Sequence, residues 1–254
     1  MEATFAETGT PFPLFEGPPA HAAATVGEAL CSLCSREAFC LELSIGHDVI
    51  GPCAACGALT DYMADADPQP CISCATDSAL PVSAEGEPAC LVCLSEGRFA
   101  ITKDSDLGMV RWRDAVAGRT HGLPLPRNAD RSPVTTYLGF PVDPPNADGW
   151  QRGRVARDVL LPFVLTPDYE SIQGSVWKFH CGQPMTFIGR WGRSDFESHA
   201  PDGDGAAFAR AIADVDSAAF DGLPESGDAE DAPVWAYAFR CTVCRTLAAN
   251  WDAE

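Results

Sequence analysis

The sequence predicts an α+β protein. An N-terminal zinc-knuckle and zinc-ribbon module comes first, and a C-terminal antiparallel, ribbon-like β domain with short helices follows. Three observations predict this. Ten of the twelve cysteines fall into five C-x-x-C pairs, four of them between residues 31 and 93 and the fifth at Cys241/Cys244. Prolines crowd residues 119–150, where a domain boundary is expected. Beyond them, short aromatic and β-branched runs such as "MTFIGRW" and "VWAYAFR" read as strands.

Taken in order, residues 1–30 are rich in Pro, Ala and Gly and read as an extended strap. Residues 31–118 form the zinc-binding module. Its last stretch, "DLGMVRWRDAVAG" at 106–118, predicts a helix capped by Asp106 and ended by Gly118. Residues 119–150 are the Pro-rich linker. Residues 151–254 are the C-terminal β domain. Within it, "RVARDVLLPFVL" is apolar and fits helix or strand. "SVWKFHC" and "MTFIGRW" predict strands around a turn at Gly182-Gln183-Pro184, and "DGDGAAFARAIAD" predicts a helix. The acidic run "DVDSAAFDGLPESGDAED" predicts a solvated loop. "VWAYAFR" and "TLAANW" are the last two strands, joined by the Cys241/Cys244 knuckle.

The chain has 254 residues, 46% of them apolar, which is enough to bury a core. Neither a run of about 18 apolar residues nor a basic, apolar leader is visible, so a cytoplasmic protein away from membranes is expected. The net charge of −19 makes nucleic acid an unfavourable partner for the chain as a whole. The same charge suits solubility, or a basic protein partner.

Paired cysteines in a cytoplasmic chain read as metal ligands before disulfides. Zn²⁺ takes four tetrahedral ligands, and two C-x-x-C turns supply a closed structural site. Cys31, Cys34, Cys53, Cys56, Cys71, Cys74, Cys90 and Cys93 therefore predict two Zn²⁺ sites. The gaps between pairs, 18, 14 and 15 residues, allow nested, serial or cross-brace pairing. The nested form is favoured, because the stretch from Cys53 to Cys74 has the length of a small ribbon of its own, at about 51–75. A third site is expected from Cys181, Cys241 and Cys244, with His180 as fourth ligand and His199 as its rival. Adjacent strand residues face opposite ways, so His180 and Cys181 can converge only if the turn breaks the alternation. Cys40 reads as a small buried apolar residue.

Catalytic motifs are missing: there is no H-E-x-x-H, G-x-S-x-G or P-loop, and no zinc-deaminase signature. The best candidate for a functional surface outside the cysteines is "TPDYESIQGSVW", residues 166–177, where Thr166-Pro167 also reads as the opening of a short helix.

The runs "LTPDYESIQGSVWKFHCGQPMTFIGRWGRSDF" and "YAFRCTVCRTLAANWD" resemble the C-terminal part of the CbrC family. "ACLVCLSEGRFAITKD" and "PFPLFEGPP" resemble earlier segments of that family, in the same order. The resemblance implies a bacterial, colicin-tolerance-associated protein, with Cys53, Cys56, Cys71 and Cys74 as an inserted second module. Some members carry cysteine where this chain has Met185, which bears on the fourth ligand of the C-terminal site. The expected function is a non-enzymatic zinc-binding factor of tolerance or immunity type, engaging a basic protein through an acidic surface. The alternatives are an enzyme with a site near 166–177, or a zinc-ribbon regulator on nucleic acid. For the last, Arg111, Arg113 and Arg119 are the only visible nucleus of a basic stripe.

Overall fold

The computed structural model describes residues 5, 10–63, 69–78, 84–213, 215–227, 229 and 232–254. It is mixed α+β, with short helices and antiparallel sheets. The chain divides into two compact units, residues 22–168 and residues 1–21 with 169–254. The proline-rich stretch lies inside the first of these, and the strap region 1–30 is shared between the two.

In unit 22–168, β1 (Thr25–Leu30), β2 (Glu37–Glu42) and β7 (Pro88–Cys90) make one sheet in the order β1-β2-β7. A second sheet runs β4-β3-β8, from Leu59–Met63, His47–Pro52 and Phe99–Ile101. A two-strand ribbon, β5 (Gln69–Pro70) and β6 (Asp77–Ser78), forms a sheet of its own. The helices are α1 (Leu91–Ser95), α2 (Trp112–Ala117) and α3 (Arg157–Val164). Leu41, Leu43, Leu94, Phe99, Leu107, Leu160 and Phe163 are its buried apolar centre.

Helix α2 is shorter than the predicted 106–118. Gly108 sits at φ 90°, and a Cβ there would meet the Gly122 carbonyl oxygen at 2.9 Å, so the chain turns where the apolar spacing suggested helix. Lys103 and Val110 then exchange backbone hydrogen bonds, and Leu107 and Val110 bury from a loop. Gly118 does end the helix, at φ 68° in the left-handed conformation. The ambiguous stretch at 154–165 resolves as α3, which carries Pro162 within it. Thr166 does not open a helix. Its hydroxyl donates to the Pro162 carbonyl at 2.8 Å and closes the end of α3 instead.

Residues 119–153 fold back on themselves. Leu123 and Gln151 exchange backbone bonds at 3.0 and 2.9 Å, and the buried Gln151 amide donates to the carbonyls of Val134 and Asp143. One satisfied glutamine amide thus ties three passes of a loop otherwise poor in regular structure.

In the other unit, β9 (Phe179–His180) pairs with β10 (Gln183–Pro184), and β11 (Thr186–Trp191), β12 (Val234–Arg240) and β13 (Leu247–Ala253) form a sheet with β12 central. The alternation along β12 sorts two cores. Tyr237 and Phe239 face a set of rings: Tyr169 stacks on Phe187 at 4.9 Å, and Trp177 meets Phe239 at 5.6 Å. Phe5, Phe12 and Phe15 join this set, with Phe15 and Phe187 at 4.8 Å. Val234, Ala236 and Ala238 face the opposite way, toward α4 (Arg193–His199), α5 (Gly205–Ala213) and α6 (Ser217–Gly222), through Phe196, Ala209 and Phe220. Helix α6 lies in the run expected to be a solvated loop. Ala219, Phe220 and Leu223 give that run a buried face which its acids obscured. The two-residue turn is Cys181-Gly182 rather than Gly182-Gln183-Pro184. No helix among the described residues is long and apolar enough to cross a membrane.

Candidate metal centres

Four of the five C-x-x-C pairs are hairpin tips of one design. The first cysteine's N–H donates to the carbonyl five residues on, and its carbonyl accepts from the N–H four residues on. This holds at Cys31 with Arg36 and Ser35, at Cys53 with Ala58 and Gly57, at Cys71 with Thr76 and Ala75, and at Cys241 with Thr246 and Arg245, all between 2.8 and 3.0 Å. In each, the residue after the second cysteine takes a positive φ: Ser35 57°, Gly57 74°, Ala75 56° and Arg245 65°. That conformation swings the chain back into the next strand and leaves both thiols on one side. Only Gly57 advertises it in the sequence.

The fifth pair is built differently. Cys90 ends β7 and sits at the N-cap of α1, with Cys93 in that helix. The flanking strands β7 and β8 lie in different sheets, so the pair does not occupy a thioredoxin-like βαβ unit.

The fold brings these pairs together in the nested order. Cys31, Cys34, Cys90 and Cys93 form an outer cluster, and Cys53, Cys56, Cys71 and Cys74 an inner one, the ligand atoms of each within 4.8 Å of one another. In the outer cluster Cys31 and Cys93 lie 3.8 Å apart, and Cys34 and Cys90 3.7 Å. In the inner one Cys53 and Cys74 lie 3.8 Å apart, and Cys56 and Cys71 3.7 Å. A regular tetrahedron with metal–sulfur bonds of about 2.3 Å has edges of about 3.8 Å, whereas a disulfide closes to about 2.0 Å. Backbone amides of Cys90 and Ser73 point at the sulfurs of Cys31 and Cys71, at 3.2 and 3.4 Å. These two clusters are compatible with zinc-binding modules. Cys40 is buried against the outer cluster, opposite Cys90 in the β2–β7 register, and burial pushes its thiol up to about 11.

The third cluster joins His180, Cys181, Cys241 and Cys244. Cys181 and Gly182 both take positive φ, 50° and 81°, which makes the tight hairpin turn that breaks strand alternation. His180 and Cys181 therefore converge, and His180 Nδ1 lies 3.2 Å from Cys244 Sγ. Cys244 Sγ and the Thr246 hydroxyl are hydrogen-bonded at 3.1 Å, and this contact, with the Thr246 amide, holds that thiol down to about 6. Thr76 stands in the same relation to Cys74, at 3.4 Å. The rival His199 is engaged elsewhere: its ring stacks on Trp191 at 4.4 Å, and Nδ1 lies 2.9 Å from the Asp195 carbonyl. Met185 is buried. Each of the three clusters could hold a metal ion.

Most of segment 166–177 serves the fold. In unit 22–168, Asp168 Oδ1 lies 3.3 Å from the fully buried Lys103 Nζ. In the other unit, Asp252 Oδ2 accepts from the backbone amides of Ile172 and Gln173 at 3.0 Å each, while its Oδ1 accepts from Tyr237 at 2.7 Å. Tyr169 and Trp177 are buried in the aromatic set. Glu170, Ser171 and Ile172 line a cleft of about 450 Å³ together with Trp235 and Glu254.

Residues 44–253 match an uncharacterised protein family, UPF0167. The chain belongs to this family. The match starts after Cys31, Cys34 and Cys40 and includes the other nine cysteines. No curated protein and no solved structure matches the chain.

Proposed function

We propose that this member of the UPF0167 family is a non-enzymatic, zinc-stapled binding protein of the CbrC kind. The observation that carries the zinc reading is the repeated sulfur–sulfur edge of 3.7–3.8 Å in two separate four-cysteine clusters. Four thiolates filling four tetrahedral positions leave no open site for a substrate, so these two metals act as staples. The third, with three sulfurs and one imidazole, is closed in the same way. Chain purified without chelator should carry three equivalents of zinc by elemental analysis. Under one equivalent would remove the reading.

The partner we propose is a basic protein, in keeping with a tolerance or immunity role. Residues 193–231 hold eleven acids and two arginines. Asp204 and Asp216 cap α5 and α6, accepting from Ala207 and Ala219, yet both remain exposed, as do Glu197, Asp202, Asp221 and Glu225. A surface of one sign speeds association with an oppositely charged partner, and salt screens it. A basic partner recovered from native cytoplasm should therefore dissociate steeply as salt is added. Binding indifferent to salt would sink the acidic-face mechanism.

An enzyme reading draws support from the cleft beside Glu170 and Glu254. Turnover of a substrate that Glu170→Gln abolishes would replace the binding reading with it.

A further inference from the structure

The charge of the whole chain hides a local reversal. Between residues 107 and 157 the sequence carries eight arginines and four aspartates, inside a chain of net charge −19. Four of those arginines converge. Arg111, Arg113, Arg119 and Arg152 line one groove of about 590 Å³ with His121 and a single acid, Asp114. A groove of that size suits a small organic ligand.

The arginines are not equally engaged. Arg113 is bound bidentately to the buried Asp61, at 2.9 and 2.8 Å, and serves the fold. Arg111 faces the buried Asp48 electrostatically. Arg119 is exposed, and among the described residues neither it nor Arg152 has a carboxylate within ion-pair distance. Arg152 spends one N–H on the His121 carbonyl, which fixes its guanidinium beside the groove. One apolar side chain completes the lining, and one indole lies beyond it, behind His121. Ile72, at the tip of the inner C-x-x-C knuckle, is exposed and lines the groove. Trp150 is 43% exposed and meets the His121 ring edge-on at 6.5 Å.

Guanidinium forks match phosphate oxygens in geometry and charge, and an exposed indole gives a base a flat partner. We infer that this groove binds a nucleoside phosphate, its phosphates on Arg119 and Arg152 and its base against Trp150, either as a free nucleotide or as part of a single strand. The inference is separate from the acidic-face reading, since it uses a different surface of the opposite sign.

The test uses the full, metal-loaded chain and four probes: inorganic phosphate, ADP, a fluorescein-labelled short oligonucleotide and polyglutamate. ADP should bind more tightly than phosphate. Trp150→Ala should weaken ADP several-fold and leave phosphate unchanged. Arg119→Glu should weaken both by about tenfold or more, and should lower the slope of log affinity against log salt by about one. An oligonucleotide binding far more tightly than ADP assigns the site to a strand, and parity assigns it to a free nucleotide; both support the inference. If Arg119→Glu lowers the melting temperature, Arg119→Gln and Arg152→Gln carry the same test. Polyglutamate displacing the labelled strand as well as ADP does would make the groove a docking site for acidic protein, and would overturn the inference. Unchanged affinity and salt slope in the arginine variants would overturn it too.

Discussion

The outer cluster and the C-terminal cluster gather candidate metal ligands in opposite settings. Cys90 is a strand residue of the first sheet, Cys31, Cys90 and Cys93 are buried, and Cys40 packs against them. The candidate ligands there are part of the core. At the other end Cys181 and Cys244 are exposed on hairpin tips, while the strands below are held by rings from Tyr169, Trp177, Phe187, Tyr237 and Phe239. Of the four candidate ligands there only Cys241 is buried, two residues beyond Phe239; the other three lie outside the aromatic core. The difference teaches that a C-x-x-C pair marks a site but not its weight. Weight depends on how much of the surrounding burial survives without the metal.

The largest expected effect breaks the outer cluster. Cys90→Ser, or chelation, should unfold the first sheet, because metal binding at such a site is folding free energy, about 10–16 kcal/mol in zinc-finger peptides. Amide exchange of β1, β2 and β7 should become fast, and zinc content should fall. Native protection of β1 and β2 in metal-free protein would erase the contrast between the two clusters.

A second prediction sharpens the comparison by asking what the first unit tolerates besides metal. Asp48 is buried, and burial followed by the Asp61 carboxylate raises it to about 7. An unfolded aspartate titrates near ~3.9. Between those values the folded chain keeps a proton that the unfolded chain has released, so this residue costs stability as pH rises, and the cost is complete above pH 7. His47, its neighbour, acts in the other direction. Burial, then Lys103, lowers it to about 4 from 6.5, so its contribution is lost as pH falls through that window. The two offset each other between about pH 4 and 6.5. Asp48→Asn should remove one side of the balance and stabilise the chain by a few kcal/mol, as an order of magnitude, at pH 8 but hardly at pH 4. Urea unfolding at the two pH values reads the difference, and a gain independent of pH would discard the assignment.

How much of this was legible follows from which signals are local. Ligand spacing is local, so the cysteine pairs, the nested order and the convergence of His180 with Cys181 could be read or framed from sequence. Gly118 as a helix stop was legible for the same reason. The start of α2 was not, because Gly108 is held by the Gly122 carbonyl, a contact that no spacing announces. Helix α6 was hidden by its own acids: Asp216 is a cap and Asp221 is exposed, while Phe220 supplies the buried face. The basic groove was partly legible. Arg111, Arg113, Arg119 and His121 stood close in sequence, but Arg152 reaches the same groove through the pairing of residues 119–123 with 151–154.

The third prediction concerns the C-terminal cluster itself. Cys244→Ser removes one exposed ligand and leaves the aromatic set intact. Zinc content should drop, the melting temperature should fall by a few degrees, and unfolding should stay cooperative. Loss of the cooperative transition would place this cluster on a level with the outer one.

The smallest effect tests the hairpin knuckles against one another. Of the four left-handed positions, Gly57 alone is held by the residue suited to it, while Ser35, Ala75 and Arg245 accept a conformation that costs an L-residue about 1–2 kcal/mol. Glycine removes that cost but adds disorder to the unfolded chain, so the two terms partly cancel. Ala75 is the cleanest site, because its side chain is an exposed methyl. Ala75→Gly should therefore stabilise the inner ribbon by less than about 1 kcal/mol, read as slower zinc loss to a competing chelator. Ser35→Gly should do the same at the outer cluster, with a smaller fractional change, since burial of Cys31, Cys90 and Cys93 already holds that site together. If Ala75→Gly instead speeds zinc release, the knuckle's left-handed residue is not strained. The shared geometry of the four hairpins would then rest on the amide-to-sulfur and strand hydrogen bonds alone.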